Sequence, residues 1–278
     1  MHRVVSAIAL AALVPLCLMA ADKPQASGTF SGTKYKFEVI GAYAYWSRSS
    51  EEPLIEVAVS NDGFVPAAFD AFYDPKPVIE NEFVDQRTAV IYFQFEPSGR
   101  YHGMTYYIGS GDGCGYCSDG SAKSTVSVSG GRAKGTLKYK GENRSYDIAF
   151  DVPIAPKEWG PAIKGDGGDI GAAYKTYNKA MESGDRQAIF DALDSHLQSF
   201  WKKQEKAGKL DGYLEYRQQS VHYHISEAHI IRGFSRPDEA VLLVNASSPL
   251  LDHLHGQVVL KREGGRWKIS DEVYETGE

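Results

Sequence analysis

Residues 240–274 read AVLLVNASSPLLDHLHGQVVLKREGGRWKISDEVY, and the spacing of apolar residues in this stretch decides the architecture of the second half of the chain. Strand side chains alternate between two faces, so Val258 and Leu260 share one face while Val259 and Lys261 take the other. Gly264 and Gly265 supply the positive-φ pair that a tight hairpin needs. Trp267 and Ile269 then resume an apolar face, alternating with Lys268 and Ser270. The run from Ala240 to Val244 is apolar throughout, as a strand covered on both sides would be.

Two helical patterns precede these strands. Ala173, Tyr177, Ala180 and Met181 form a narrow apolar stripe, and Ser183-Gly184-Asp185 ends it and offers an N-cap. Ile189, Leu193, Leu197, Phe200 and Trp201 then recur at helical spacing, which predicts one amphipathic helix with Lys202 and Lys203 on its polar side. Helices followed by antiparallel strands within about a hundred residues indicate an α+β layer. Working outward, 155–169 is rich in proline and glycine (Pro156, Pro161, Gly160, Gly165, Gly167 and Gly168) and reads as a linker.

The opening helix with Tyr174 and Tyr177, the break at Ser183-Gly184-Asp185, the second helix and the terminal VVLKREGGRWKISDEVY together resemble the nuclear-transport-factor-2-like, or ketosteroid-isomerase-like, superfamily, in its small extracytoplasmic form. The resemblance covers about 169–278. It implies a cone-like C-terminal domain over 170–278, with helices packed on a curved antiparallel sheet around a pocket. Its members include isomerases, dehydratases and binding or assembly modules, so it bears on fold more than on activity. In such a cone the inner wall would be lined by Tyr174, Tyr177, Phe200, Trp201, Tyr213 and Tyr216. A homodimer through the C-terminal sheet is a further expectation.

The N-terminal segment 1–21 has His2 and Arg3, then a short apolar run, then Ala20 and Ala21 before Asp22, the pattern of a secretory signal peptide. It places the protein outside the cytoplasm, periplasmic or secreted. Leu16 stands before Cys17 where a lipid-anchored precursor requires a small residue, and no later stretch is long and apolar enough to cross a bilayer. Formal net charge is −6, and loss of Arg3 makes the mature chain one unit more acidic. That balance disfavours nucleic acid as a partner, because neutralising phosphates takes a basic surface. Residues 22–154 read as an all-β sandwich or barrel: Tyr35/Phe37/Val39, Ile55/Val57/Val59, Ile91/Phe93/Phe95 and Tyr146/Ile148/Phe150 alternate with polar residues between short turns. This half loosely resembles an uncharacterised β domain of secreted bacterial proteins, which implies no activity.

Three constellations bear on chemistry. Cys114 and Cys117, within GSGDGCGYCSDGS, read as a structural disulfide in an oxidising compartment rather than a redox pair, since no helix follows to lower a thiol pKa. His222 with His224, and His253 with His255, are His-x-His pairs; on a strand each would share a face and chelate a metal, against the alternative of ordinary surface imidazoles. A catalytic pocket needs an acid or base and a donor converging on one atom, and Asp191, Asp194, His196, His224 and Asp271 are the available groups. No cofactor motif is present. The reading at this level is an exported, non-enzymatic two-domain protein that binds a small ligand or an envelope protein. The alternatives are a pocket enzyme of the isomerase or dehydratase type, and a metal-binding protein using the histidines.

Overall fold

The computed structural model describes residues 25–33, 35–48, 52–84, 88–108, 112–117, 119–156, 158–219, 225, 227–248 and 251–276, with the side chains of 67, 82–84, 112–116 and 216–219 left aside. The expected signal peptide, His222 and His224 lie outside these residues. The N-terminal half contains β1 (Ala26–Gly32), β2 (Lys36–Val39), β3 (Gly41–Trp46), β4 (Ile55–Ser60), α1 (Pro66–Phe69), α2 (Lys76–Val84), β5 (Ala89–Phe95), β6 (Tyr101–Ile108), β7 (Asp112–Cys117), β8 (Lys123–Ser124), β9 (Ser127–Ser129), β10 (Arg132–Lys140) and β11 (Arg144–Pro153). They make two antiparallel sheets, β2-β1-β11-β10-β8 with β9 against β10, and β3-β4-β5-β6-β7. Phe30, Leu137 and Ile148 of the first sheet share one core with Val57, Ile91 and Phe93 of the second.

Period two turns Tyr45, Ala58 and Tyr92 to the opposite side of the second sheet, where they pack with Phe64, Phe69 and Ile79. The expectation of an all-β segment over 22–154 is therefore corrected: α1 and α2 cover one sheet. Pro66 opens α1 and Pro77 lies in the first turn of α2, where proline is tolerated because its missing N–H has no intrahelical partner. Asp74 Oδ1 accepts the Lys76 N–H (3.1 Å) at the start of α2. With apolar layers on both sides, β4 is buried at every position.

The C-terminal half contains β12 (Ala162–Ile163), α3 (Gly168–Ser183), α4 (Arg186–Ala192), α5 (Ser195–Lys206), α6 (Leu210–Gln219), β13 (Glu227–Ser235), β14 (Glu239–Ser248), β15 (Leu251–Glu263) and β16 (Arg266–Thr276). The strands form one antiparallel sheet in sequence order. Val241 pairs with Val259 across β14 and β15, and Arg262 with Trp267 where Gly264 (φ 57°) and Gly265 (φ 78°) turn the chain. The helices cover one face through Tyr174, Tyr177, Ile189, Leu193 and Trp201 against Leu242, Val258, Leu260 and Ile269. The single second helix expected through residue 203 is two helices. Leu193 is extended (ψ 152°), the Asp194 N–H donates to Ile269 O (2.8 Å), and Asp194 Oδ1 accepts the Leu197 N–H (2.8 Å) as N-cap of α5. An aspartate N-cap outcompetes helix continuation because it satisfies a donor the helix would otherwise leave open.

The segment 155–169 is more than a linker. Ala162 and Ile163 pair with Phe234 and Gly233, and Trp159 is 4% exposed with its Nε1–H donated to Phe72 O (3.0 Å). Trp159 and Phe72 form an apolar cluster with Phe234, Val241, Val259 and Val273, all from the sheet face that the helices leave open. The N-terminal half thus packs on the sheet face opposite the helices.

Candidate functional site

Three of the aromatic residues expected to line a pocket are core, while Phe200 is exposed and Tyr213 half-buried. Tyr174, Tyr177 and Trp201 are 0%, 1% and 3% exposed. Tyr213 sits edge-on to Phe200 (5.4 Å) and Trp201 (6.5 Å), and the Tyr216 side chain is outside the description. Tyr174 Oη and Tyr274 Oη share a hydrogen bond of 2.9 Å, and Glu272 accepts from Tyr177 Oη at Oε1 (2.7 Å) and from Tyr274 Oη at Oε2 (3.2 Å). Burial raises the Tyr174 phenol to about 12 and pushes Tyr274 up as well. This buried network was invisible to alternation. From Trp267 and Ile269, period two turns 271 and 273 toward the helices, but a bulge opposite Val259 and Leu260 reverses the phase, so Glu272 and Tyr274 point inward. Gly256 makes room: a Cβ there would meet Tyr274 Cδ1 at 2.4 Å.

Of the other expected groups, Asp191, Asp194 and Asp271 each serve a local hydrogen bond. Asp194 caps α5, Asp191 accepts from Gln187 Nε2 (2.9 Å), and Asp271 Oδ1 accepts the Glu272 N–H (2.8 Å). His253 and His255 lie exposed on β15, and His255 Nδ1 is 2.7 Å from Asn245 Oδ1. Among the described residues no group of three His, Cys, Asp or Glu side chains is arranged to hold a metal ion. Cys117 is disulfide-bonded; the side chain of Cys114, its expected partner, lies outside the description.

Several open clefts are present among the described residues, and one of them lies between the two halves. This cleft, of about 240 Å³, is bounded by Arg48, Tyr73, Asp74 and Pro77 on one side and by Ile231, Leu243, His255, Gln257, Val273 and Glu275 on the other. Gln257 fixes its depth: Nε2 donates to Asp74 O (2.8 Å) and Oε1 accepts the Asp74 N–H (2.7 Å), a reciprocal pair that satisfies backbone groups at the mouth of α2. Tyr73 stacks on Phe234 (centroids 4.7 Å apart, planes 3° apart) and carries the Arg48 guanidinium 4.4 Å from its centroid. Arg48 Nε also donates to Tyr73 O (3.2 Å), so the ring and the cation are held together.

No protein-family model matches the chain, and no curated protein matches it either. The cleft is accordingly read from its own chemistry. Burial, with Glu56 and Glu275 adding repulsion, raises the Asp74 carboxyl to about 6 against the pull of the Lys76 N–H and charge. Glu80 rises to about 7, chiefly by burial, with Glu275, Asp74 and Glu56 adding to it and Lys76 opposing. Glu275 rises by burial, opposed by His255 and Lys76. Burial alone would lower Lys76, but Glu56 and Glu80 keep it raised.

An acid whose folded pKa lies above its unfolded value binds a proton more tightly when folded. Its contribution is therefore favourable at low pH and is lost as pH rises from about 4.5 through about 7. Glu80→Gln is expected to raise the unfolding free energy by on the order of 2 kcal/mol above about pH 8, and to change it little below about pH 4. Parallel pH profiles of melting temperature for variant and wild type would contradict this.

Proposed function

We propose that this is an exported, non-enzymatic envelope protein that binds a small ligand in the cleft between its two halves. One observation carries the reading: apolar walls from Tyr73, Pro77, Leu243 and Val273 border the polar groups Asp74 and Gln257, with the exposed His255 and Glu275 at the rim. Small-ligand sites have this composition, and the junction of two bodies is a preferred place for them. The helix-then-sheet order of the C-terminal half supports the nuclear-transport-factor-2-like reading, with a cone whose interior has been filled. Tyr174, Tyr177 and Trp201 occupy the space where an isomerase or dehydratase of that kind would hold its substrate, so recognition moves to the opposite sheet face. Among the described residues no helix is long and apolar enough to cross a membrane.

The test uses the full chain purified natively from the cell envelope. A mature N-terminus at Asp22 is expected if the first 21 residues are removed on export. Mass spectrometry after denaturation is expected to release a small molecule from the wild type and none from Leu243→Trp, which fills the cleft. Equal recovery from both proteins, or none from either, would remove the reading.

A further inference from the structure

The chemistry of the cleft narrows the class of ligand, on the reading that the cleft is the binding site. Four carboxyl groups act on one another in and around it: Asp74 before α2 and Glu275 on β16, which line the cleft, and Glu56 on β4 and Glu80 in α2, which do not. Lys76 is the cation that acts on all four, and among the described residues none of the four is held in an ion pair. Glu56 is satisfied by neutral donors, Tyr45 Oη (2.6 Å) and Gln94 Nε2 (2.8 Å). Asp74 and Glu275 are the two that reach the cleft.

Two unpartnered polar atoms stand among the same carboxyl groups, away from the cleft lining. Tyr92 is fully buried, its hydroxyl has no hydrogen-bond partner, and it stands in the field of Glu80, Glu56 and Asp74. Glu80 Oε1 is buried and without a partner as well. Of the groups that line the cleft itself, the Arg48 guanidinium is held against Tyr73, and neither Asp74 nor Glu275 is in an ion pair among the described residues, while much of the wall is apolar. One lysine shared by several partly buried carboxylates leaves them under-compensated, and a cation supplied from outside relieves that cost.

We infer that the cleft takes a ligand built of a small apolar body and one protonated amine, with the amine seated against Asp74 and Glu275 and the body against Tyr73, Leu243 and Val273. A volume near 240 Å³ lies just below the usual range for ligand pockets and suits a compact monoamine better than a chain-like one. Asp74 is faced by Glu56 from β4, by Lys76 and Glu80 from α2 and by Glu275 from β16, and His255 and Arg48 also border the cleft. As pH falls through about 6, Asp74 takes up a proton, so amine binding is lost toward acid.

The experiment is calorimetric titration of the full chain with phenethylamine and, as isosteres of opposite and no charge, with 3-phenylpropanoate and 2-phenylethanol. The expected result is binding of the amine at about pH 7.5 at least tenfold tighter than of either isostere, weakened at least about tenfold by Asp74→Asn or Glu275→Gln. Both variants keep an acceptor in place of the carboxylate, and unchanged melting temperatures report that they are folded. If the alcohol or the acid binds as tightly as the amine, or both variants bind the amine unchanged, the charge assignment is overturned while the cleft stands. If no probe binds the wild type, or Leu243→Trp binds the amine like the wild type, the cleft reading falls with it.

Discussion

Trp159→Ala is expected to cost about 3–5 kcal/mol of stability, the range for truncating a buried aromatic, and to split thermal unfolding into two transitions. Trp159 belongs to the segment that sequence assigns to a linker, yet its ring packs with residues from both halves, Phe72 on one side and Phe234, Val241, Val259 and Val273 on the other. Its Nε1–H satisfies Phe72 O, and the Arg236 guanidinium lies 3.9 Å from the ring centroid. Arg236 also reaches Asp70 O (3.5 Å) and Glu239 (3.3 Å), tying β13 and β14 to the end of α1. The alanine would leave a cavity at the junction and an unpaired carbonyl, while neither separate core would be touched. Scanning calorimetry distinguishes the outcomes: one transition at an unchanged midpoint would show that Trp159 does not couple the halves.

Glu272→Ala should be nearly as damaging for a different reason. Glu272 is 8% exposed and accepts hydrogen bonds from Tyr177 and Tyr274, and Tyr274 in turn meets Tyr174. Removing the carboxylate takes this acceptor from two buried phenols, at about 1–3 kcal/mol each, although Tyr274 Oη keeps its hydrogen bond with Tyr174 Oη. Glu272→Gln keeps an acceptor for one of them and is expected to cost less than half as much. Chemical denaturation at neutral pH measures both. An alanine variant as stable as wild type would mean that the tyrosines find other partners. Because the network lies across the sheet from the cleft, neither variant should alter ligand affinity in protein that remains folded.

The hairpin at Gly264-Gly265, the caps at Asp185 and the strands of the first half follow from local rules, and each was legible. The Asp185 side chain accepts the Ala188 N–H (3.0 Å) because a short acidic side chain after a helix-ending glycine has few better options. The helices α1 and α2 were not legible, because their prolines and weak amphipathic pattern carry less signal than the apolar strands around them. Leu193 fitted the helical stripe and yet lies in the break between α4 and α5, since its burial and the bridge to Ile269 override spacing.

The candidate site was less legible still. Asp74, Glu80, His255, Gln257 and Glu275 are separated by as many as about two hundred residues, and only His255 belongs to a recognisable local pattern. The continuous apolar run at Ala240 to Val244 was the available clue. A strand apolar on both faces must be covered twice, and the C-terminal half has helices for one cover only.

By itself the sequence determined the antiparallel strands, the tight turns, the helix caps and the division of the chain into a β-rich half and a half with helices before strands. These depend on side-chain periodicity and on φ preferences that act within a few residues. Tertiary structure alone decided that the second cover of the C-terminal sheet is the N-terminal half, that a bulge turns Glu272 into the core, and that carboxyl groups from distant elements meet at the junction. Contacts of that range follow from how whole faces exclude water and complement one another, which neighbouring residues along a chain do not encode.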